Sequence, residues 1–310
     1  MKYRVYGLIL DSQEPWAELE PADAPDRADI RISMEPTDAW PPPLAAGNVA
    51  ANAESEDAWP TIEHDGPGYR LSFGDDAAFW VAADGGTIQC FPGSLPATTL
   101  SHFLLDHVLP RTLHLRGLNP LHATAVATTA GVLAFLGKTG TGKSTLAAAL
   151  GRRGASLMSD DCLVLHREGE AIIATPSYAG LRLYDDVREA LFPRASSNEV
   201  AHYSDKQRIA TAVPLASEPQ VLRAVFALER IEHLEAPELT PLGPADATMT
   251  LASAAFRIDT QRREQNRQQL GFFAEVVRRV PVQRCVFGED LAQVDVLAAA
   301  ILTHVPRAAG

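Results

Sequence analysis

Short hydrophobic runs separated by polar turns fill the first hundred residues. Tyr3–Leu10 alternates in polarity and predicts one strand. Three later runs also have strand length and are separated by Gly- and Asp-rich turns, which is typical of hairpins: Tyr69–Phe73, Ala78–Ala82 and Thr87–Phe91. Between Asp23 and Trp59 the chain is rich in Pro, Ala and acidic residues, so we predict loops there.

Helical spacing replaces strand spacing after residue 97. Leu100, Phe103, Leu104 and Val108 recur at intervals of one helical turn, and we expect Pro110 to end this helix. We therefore predict a β-rich N-terminal domain over residues 1–97 and a second domain over residues 98–310. A hydrophobic stripe within Asp290–Val305 predicts an amphipathic helix that closes the second domain.

A hairpin is expected at the centre of the second domain. Leu121–Ala127 and Val132–Leu136 flank a four-residue turn that contains Gly131. If the turn is symmetric, residues whose numbers sum to 259 face each other, so His122 lies opposite Gly137. A lone histidine is most often a packed or surface residue, but this register predicts His122 beside the segment that follows.

That segment is a complete phosphate-binding motif, GxxxxGK[ST]. It follows an apolar strand and precedes the predicted helix Ser144–Arg153, as a P-loop requires. The candidate nucleotide-binding residues are Gly137, Lys138, Thr139, Gly140, Thr141, Gly142, Lys143, Ser144 and Thr145. We expect backbone N–H groups and Lys143 to hold the phosphates of ATP, and the Ser144 hydroxyl to bind Mg²⁺. The alternative, a Gly-rich turn before a helix, fits this context poorly.

Two adjacent carboxylates follow the next predicted strand. Ala155–Met158 is apolar and leads to Asp160 and Asp161. A strand parallel to the P-loop strand would bring both carboxylates to the edge where the phosphates bind. One can hold Mg²⁺ while the other accepts a proton from an attacking hydroxyl. The alternative is a solvated turn before the hairpin of Cys162–His166 and Ala171–Ala174.

Composition narrows the class of protein. Hydrophobic residues make up 46% of 310 residues, which predicts a globular chain. The net charge of −12 argues against nucleic acid as a partner. Three widely spaced cysteines indicate neither a zinc site nor a disulfide framework. With no signal peptide and no apolar run near the roughly 20 residues that span a bilayer, we expect a cytoplasmic protein without a membrane partner.

The motifs from His122 to Leu165 together resemble the catalytic domain of HPr kinase/phosphorylase. That family carries a His-containing strand, a P-loop and an Asp-Asp pair in this order. The resemblance implies an α/β fold, namely an HPr-kinase-type P-loop domain with a mixed sheet, preceded by the smaller β-rich domain. It also implies that Asp160 is the base, that Asp161 supports Mg²⁺ or orients Asp160, and that His122 lies in the active site. Because HPr kinases form hexamers, a homo-oligomer is expected on the same ground.

Shorter motifs resemble the HPr-kinase-like proteins of lasso-peptide biosynthetic clusters. They are Tyr3–Leu8, Pro176–Leu183 and Val280–Val282. The resemblance implies an ATP-dependent kinase that phosphorylates the C-terminal serine of a precursor peptide. Arg182 is a candidate contact to phosphate or acceptor, with a surface arginine as the alternative.

The chain also departs from HPr kinase. Lys138 replaces the usual Asp of the loop, Thr145 replaces the usual Glu, and the Gly-rich signature segment is missing. HPr as the substrate and the reverse phosphorolysis are therefore not expected. Two alternatives to a peptide kinase stay open from the residues: a small-molecule kinase acting on free serine, and a non-enzymatic nucleotide-binding module.

Overall fold

The computed structural model describes residues 1–23, 27–41, 49–51, 60–210, 212–232 and 234–304. By contacts the chain divides into two compact units. Unit 1 comprises Met1–Pro120, Ala201–Tyr203 and Phe256–Arg267; unit 2 comprises Leu121–Val200, Ser204–Ala255 and Gln268–Gly310. The fold is mixed α/β with a β-rich N-terminal unit, which agrees with the predicted fold class.

Unit 1 contains one sheet in the order β1-β2-β3-β8-β7-β6-β5-β4. The strands are β1 Lys2–Val5, β2 Leu8–Ser12, β3 Ile30–Met34, β4 Val49–Ala51, β5 Thr61–Asp65, β6 Gly68–Phe73, β7 Ala77–Ala82 and β8 Thr87–Phe91. The three predicted strands at β6, β7 and β8 and their hairpins are confirmed.

One strand prediction and one loop prediction in unit 1 were wrong. Tyr3–Leu10 is a hairpin because Tyr6 and Gly7 both have positive φ, +53° and +77°, which reverses the chain. The predicted loop Asp23–Trp59 contains β3, which pairs in parallel with both β2 and β8. Residues 24–26, 42–48 and 52–59 of that prediction lie outside the described part.

The helical segment after residue 97 belongs to unit 1 and is longer than expected. It comprises α1 Ala97–His102, a π-helical turn over Phe103–Val108, and α2 Leu109–Leu115. Pro110 is at the start of α2, but the backbone is helical on both sides of it, so this proline does not end the helix. Phe103 stacks on Phe73 at 3.9 Å between ring centroids, so residues 98–115 pack with the first sheet rather than opening unit 2.

Unit 2 is built on a mixed sheet covered on both faces. Six of its strands have the order β12-β10-β11-β18-β14-β13. In addition, β20 pairs with β18, and β19 pairs with β20. These strands are β10 Ala123–Thr128, β11 Gly131–Leu136, β12 Ser156–Ser159, β13 Leu163–Glu168, β14 Ala171–Thr175, β18 Gln220–Ile231, β19 Glu238–Pro241 and β20 Val282–Gly288; β9, Asn119–Leu121, precedes them.

Helices and a small sheet complete unit 2. The helices are α3 Lys143–Gly151, α4 Asp185–Leu191, α5 Pro244–Ser253, α6 Arg263–Arg279, which begins in unit 1, and α7 Leu291–His304. A three-stranded sheet has the order β15-β17-β16, with β15 Leu181–Tyr184, β16 Asn198–Glu199 and β17 Lys206–Ile209. The predicted stripe on α7 is confirmed, since Val294, Leu297 and Ile301 are buried.

The strand order determines where the candidate site forms. The register of β10 and β11 pairs Ala123 with Leu136, so the predicted sum of 259 is confirmed. Both β11 and β12 are antiparallel to β10. They therefore run in the same direction, with β10 between them, and the P-loop and the Asp pair follow their C-terminal ends at one edge of the sheet.

Candidate active site

The loop between β11 and α3 is wrapped by glycines and by its own polar groups. Gly140 and Gly142 have φ of +83° and +97°, a backbone region that favours glycine. Thr141 donates to the Lys138 carbonyl from both its N–H and its hydroxyl, at 3.2 and 2.6 Å. Lys138 and Thr141 thus shape the loop, and Gly142 immediately precedes α3 without any side-chain cap on the helix.

Lys143 is buried and held by the loop and by His122. Its ammonium donates to the Gly137 carbonyl at 2.9 Å and lies 3.1 Å from His122 Nε2. The hairpin register brings His122 to this position, as the sequence predicted. Burial lowers the pKa of Lys143, and the charge of Lys206 lowers it further, while Asp161 and Asp160 oppose both effects.

Asp160 is the buried centre of the site, with 2% of its surface exposed. Its Oδ1 accepts hydrogen bonds from Ser144 Oγ at 2.9 Å and from Thr124 Oγ1 at 2.8 Å. Its Oδ2 accepts from the Arg182 backbone N–H at 2.9 Å. Burial, with the neighbouring charge of Asp161, raises the pKa of Asp160 to about 6, and Arg182 and Thr124 oppose the rise.

Asp161, unlike its neighbour Asp160, lines a cavity. Its φ of +68° is unusual for a residue with a side chain, although Asp tolerates this region better than most. Asp161 Oδ2 accepts from Arg182 NH1 at 2.9 Å, and the same guanidinium donates from NH2 to Tyr178 OH at 3.1 Å. Arg182 therefore lies in the site and ties β15 to both aspartates.

The cavity in front of these groups has a volume of about 340 Å³. Predicted residues on its wall are His122, Thr139, Gly140, Gly142, Lys143, Ser144, Thr145, Asp161 and Arg182. Leu183, Tyr184, Asp186, Val187, Lys206 and Arg230 also line it. Gly137, Lys138, Thr141 and Asp160 are not on the wall; they support the residues that are.

Several of these residues were not predicted as part of the site. Thr124 is a polar residue inside an apolar strand, and that pattern was the available signal for it. Tyr178, Tyr184 and Arg230 carry no local signal, because only tertiary packing brings Tyr184 and Arg230 to the cavity and Tyr178 to Arg182. Lys206 carried a weak one, since it is one of only four lysines in the chain.

The donor set at Ser144 and Asp160 fits Mg²⁺. A hydroxyl and a carboxylate supply the hard oxygen ligands that Mg²⁺ prefers, and substrate phosphates and water usually complete its shell. No group of three or more His, Cys, Asp or Glu side chains suited to a metal ion occurs among the described residues. The hydrogen bond from Ser144 places Asp160, rather than the expected Asp161, beside the hydroxyl that is predicted to bind the metal.

The three cysteines are buried free thiols. Within the described part of the chain, no helix is both long enough and apolar enough to cross a membrane.

The known proteins that this chain matches are all solved structures. No family model and no curated protein matches the chain. The solved structure of the Hpr(Ser) kinase/phosphatase from Coxiella burnetii aligns with 60% of this chain and 95% of its own, at 13% identity and a TM-score of 0.32. At these values the likeness carries no weight for substrate or mechanism, so the functional argument depends on the residues of the site.

Proposed function

We propose that the chain is a kinase that uses ATP and Mg²⁺ to phosphorylate a serine hydroxyl. The observation that carries the proposal is the contact of Ser144 Oγ with Asp160 Oδ1 at 2.9 Å, beside a buried Lys143. This contact joins the phosphate-binding loop to an acidic pair, and nucleotide binding alone would not need the second carboxylate that lines the cavity.

Some residues of the site would bind the nucleotide, and others would contact the acceptor hydroxyl. The loop N–H groups, the start of α3 and Lys143 bind the β- and γ-phosphates. Ser144 and Asp160 would hold Mg²⁺, which when bound neutralises charge on the phosphate oxygens. His122 orients the Lys143 ammonium through the 3.1 Å contact.

We assign the general base to Asp161 and the place beside Mg²⁺ to Asp160. These roles are the reverse of those that the family resemblance implies. An acceptor hydroxyl in the cavity can reach Asp161 on its wall, whereas Asp160 is 2% exposed and bonded on both oxygens. The hydroxyl oxygen attacks the γ-phosphorus in line and its proton passes to the Asp161 carboxylate. Arg182 positions that carboxylate through their 2.9 Å ion pair.

For the acceptor we propose a peptide, and specifically the C-terminal serine of a lasso-peptide precursor. Support comes from the sequence resemblance in Tyr3–Leu8, Pro176–Leu183 and Val280–Val282. The second of these segments includes Arg182, which donates to Asp161, and Tyr178, which accepts a hydrogen bond from Arg182. We further propose a cytoplasmic enzyme that assembles as a homo-oligomer, again on the family resemblance.

Phosphoryl transfer to defined acceptors tests the proposal. The protein is incubated with Mg²⁺ and ATP labelled at the γ-phosphorus, together with a peptide ending in serine, the same peptide ending in alanine, or free serine. We expect label on the serine peptide alone. Transfer to free serine alone would indicate a small-molecule kinase, and tight nucleotide binding without transfer to any acceptor would indicate a binding module.

A further inference from the structure

Strand β15 carries two polar side chains that line the cavity and two apolar side chains that are buried in the core, of which Leu183 also borders the cavity. Leu181 and Leu183 are buried in the hydrophobic cluster of α3 and α7, as the alternation of a strand requires. Arg182 and Tyr184 alternate with them and line the cavity. The antiparallel register with β17 sets Tyr184 opposite Lys206, so the two side chains are neighbours on the same face.

Lys206 is held over the ring of Tyr184 rather than by a carboxylate. Its Nζ lies 5.5 Å from the ring centroid, a cation–π contact. Arg182 and Arg230, the arginines on the same wall, are paired with Asp161 and Glu289. Among the described residues no carboxylate forms an ion pair with Lys206, which shares the cavity with Ser144 and Gly140.

The neighbouring cation on β17 has a different environment. Arg208 NH2 donates to the Ala179 carbonyl, and Gly180 has φ +120° with the Arg208 side chain packed against it. Arg208 is absent from the cavity wall, so Lys206 is the cation that β17 directs toward the phosphate-binding loop.

We propose that Lys206 is a second catalytic cation, which contacts the γ-phosphoryl group during transfer while Tyr184 positions its ammonium. The inference rests on the proposed kinase function. A bond forms between the acceptor oxygen and the γ-phosphorus as the bond from phosphorus to the β–γ bridging oxygen breaks. The bridging oxygen keeps the electron pair and leaves with ADP, and the acceptor proton goes to Asp161. Lys206 stabilises the negative charge on the equatorial oxygens of the phosphoryl group during its transfer.

The test compares ground-state and transition-state ligands, so the acceptor need not be known. Calorimetry measures the Kd of MgADP with and without aluminium fluoride, which mimics the transferring phosphoryl group. In Lys206→Ala we expect unchanged affinity for MgADP and roughly 10²-fold weaker affinity for MgADP–aluminium fluoride. Lys206→Arg should restore part of the loss.

Two further variants separate position from charge. Tyr184→Leu should lose part of the analogue affinity, and Tyr184→Phe, which keeps the ring face, should restore it. Arg223→Gln is the matched control, because it also removes one positive charge from unit 2. Arg223 lies near the start of β18, at the end of the sheet away from the P-loop, and we expect both affinities to be unchanged.

Each other outcome has a separate meaning. If Lys206→Ala binds the analogue as tightly as the wild type, or loses both affinities equally, Lys206 is not a catalytic cation. The kinase proposal survives that result. If the wild type fails to bind MgADP, or binds MgADP but not its aluminium fluoride complex, the proposed function fails and this inference fails with it.

Discussion

At the scale of single residues, the acidic pair is divided by burial. Asp160 lies behind Ser144 with both oxygens bonded, while Asp161 turns into the cavity at a φ of +68°. The two carboxylates are therefore separated by their environments, although both contact Arg182. In the proposed function, one would serve Mg²⁺ and the other the acceptor.

This separation predicts opposite phenotypes for two matched variants. In Asp161→Asn we expect the Kd for MgATP to stay near the wild-type value and transfer to fall roughly 10²- to 10⁴-fold, the usual contribution of a general base. In Asp160→Asn we expect the Mg²⁺-dependent part of nucleotide affinity to fall. Calorimetry and labelled transfer measure the two effects, and the reverse pattern would restore the roles implied by the family resemblance.

The backbone of Gly180 gives a second prediction at this scale. Gly180→Ala places a Cβ 2.6 Å from Arg208 Nε at φ +120°, so we expect a loss of about 1–3 kcal/mol of stability. Gly169→Ala is the control, because its φ is also positive, +57°, yet nothing lies within 4 Å of the added Cβ. Thermal unfolding followed by circular dichroism would contradict the prediction if Gly169→Ala lowered the Tm more.

Much of the candidate site could be predicted from the sequence because its central part is local. The P-loop is contiguous, and the register that places His122 follows from the symmetry of one turn. Thr124 and Lys206 gave only weak signals and Tyr178 gave none, because tertiary packing brings Tyr178 and Lys206 to the site from distant segments. The roles of Asp160 and Asp161 depend on the φ of one residue, which no sequence pattern gives.

At the scale of elements, helix α3 connects the loop to the core and is tightly packed. Ala147, Ala148 and Ala149 are buried, so small side chains let the helix approach its neighbours closely. A Cβ at Gly151 would lie 2.5 Å from Val213 Cγ2. The end of α3 therefore has no room for one more methyl group.

Gly151→Ala should consequently be destabilising, although alanine favours helices over glycine by about 1 kcal/mol. Overpacking in a tight core costs roughly 1–3 kcal/mol, which outweighs that gain. The double variant Gly151→Ala/Val213→Ala should recover stability relative to Gly151→Ala alone. Chemical unfolding followed by circular dichroism measures this, and a stabilised single variant would contradict the packing.

Errors in predicting elements had local causes. Tyr6 and Gly7 form a turn inside an alternating segment, and β3 lies within a segment whose composition favours loops. Pro110 did not end the helix because the π-helical turn places it at the start of α2. In each case, a backbone conformation or a tertiary pairing prevailed over composition.

At the scale of the whole molecule, tryptophan fluorescence can follow the unfolding of unit 1 by itself. The tryptophans among the described residues, Trp16, Trp40 and Trp80, belong to unit 1. Tryptophan emission of the intact protein therefore reports the unfolding of unit 1.

A buried histidine makes the stability of unit 1 depend on pH. His114 is 1% exposed, and burial, aided by the charges of Arg257 and Arg262, lowers its pKa to about 4. Between pH 4 and 6.5 the unfolded chain binds more protons at this position than the folded one. The stabilisation is therefore complete above pH 6.5 and is lost as the pH falls toward 4, on the order of 3 kcal/mol.

His114→Leu should remove this part of the pH dependence. Neither ring nitrogen has a hydrogen-bond partner among the described residues, so an apolar side chain of similar size loses no contact there. Urea unfolding at pH 7 and pH 5, monitored by tryptophan emission, measures the slope. An unchanged slope in the variant would contradict the neutral buried state of His114.

The central claim is that one pocket of unit 2 holds a nucleoside triphosphate with Mg²⁺ between the P-loop and the acidic pair. A crystal structure with Mg²⁺ and a non-hydrolysable ATP analogue tests it most directly. We predict that the β- and γ-phosphates lie on the loop from Gly137 to Ser144, with the metal bound by Ser144 and beside Asp160. Density for the analogue elsewhere, or an empty loop at saturating nucleotide, would contradict the account.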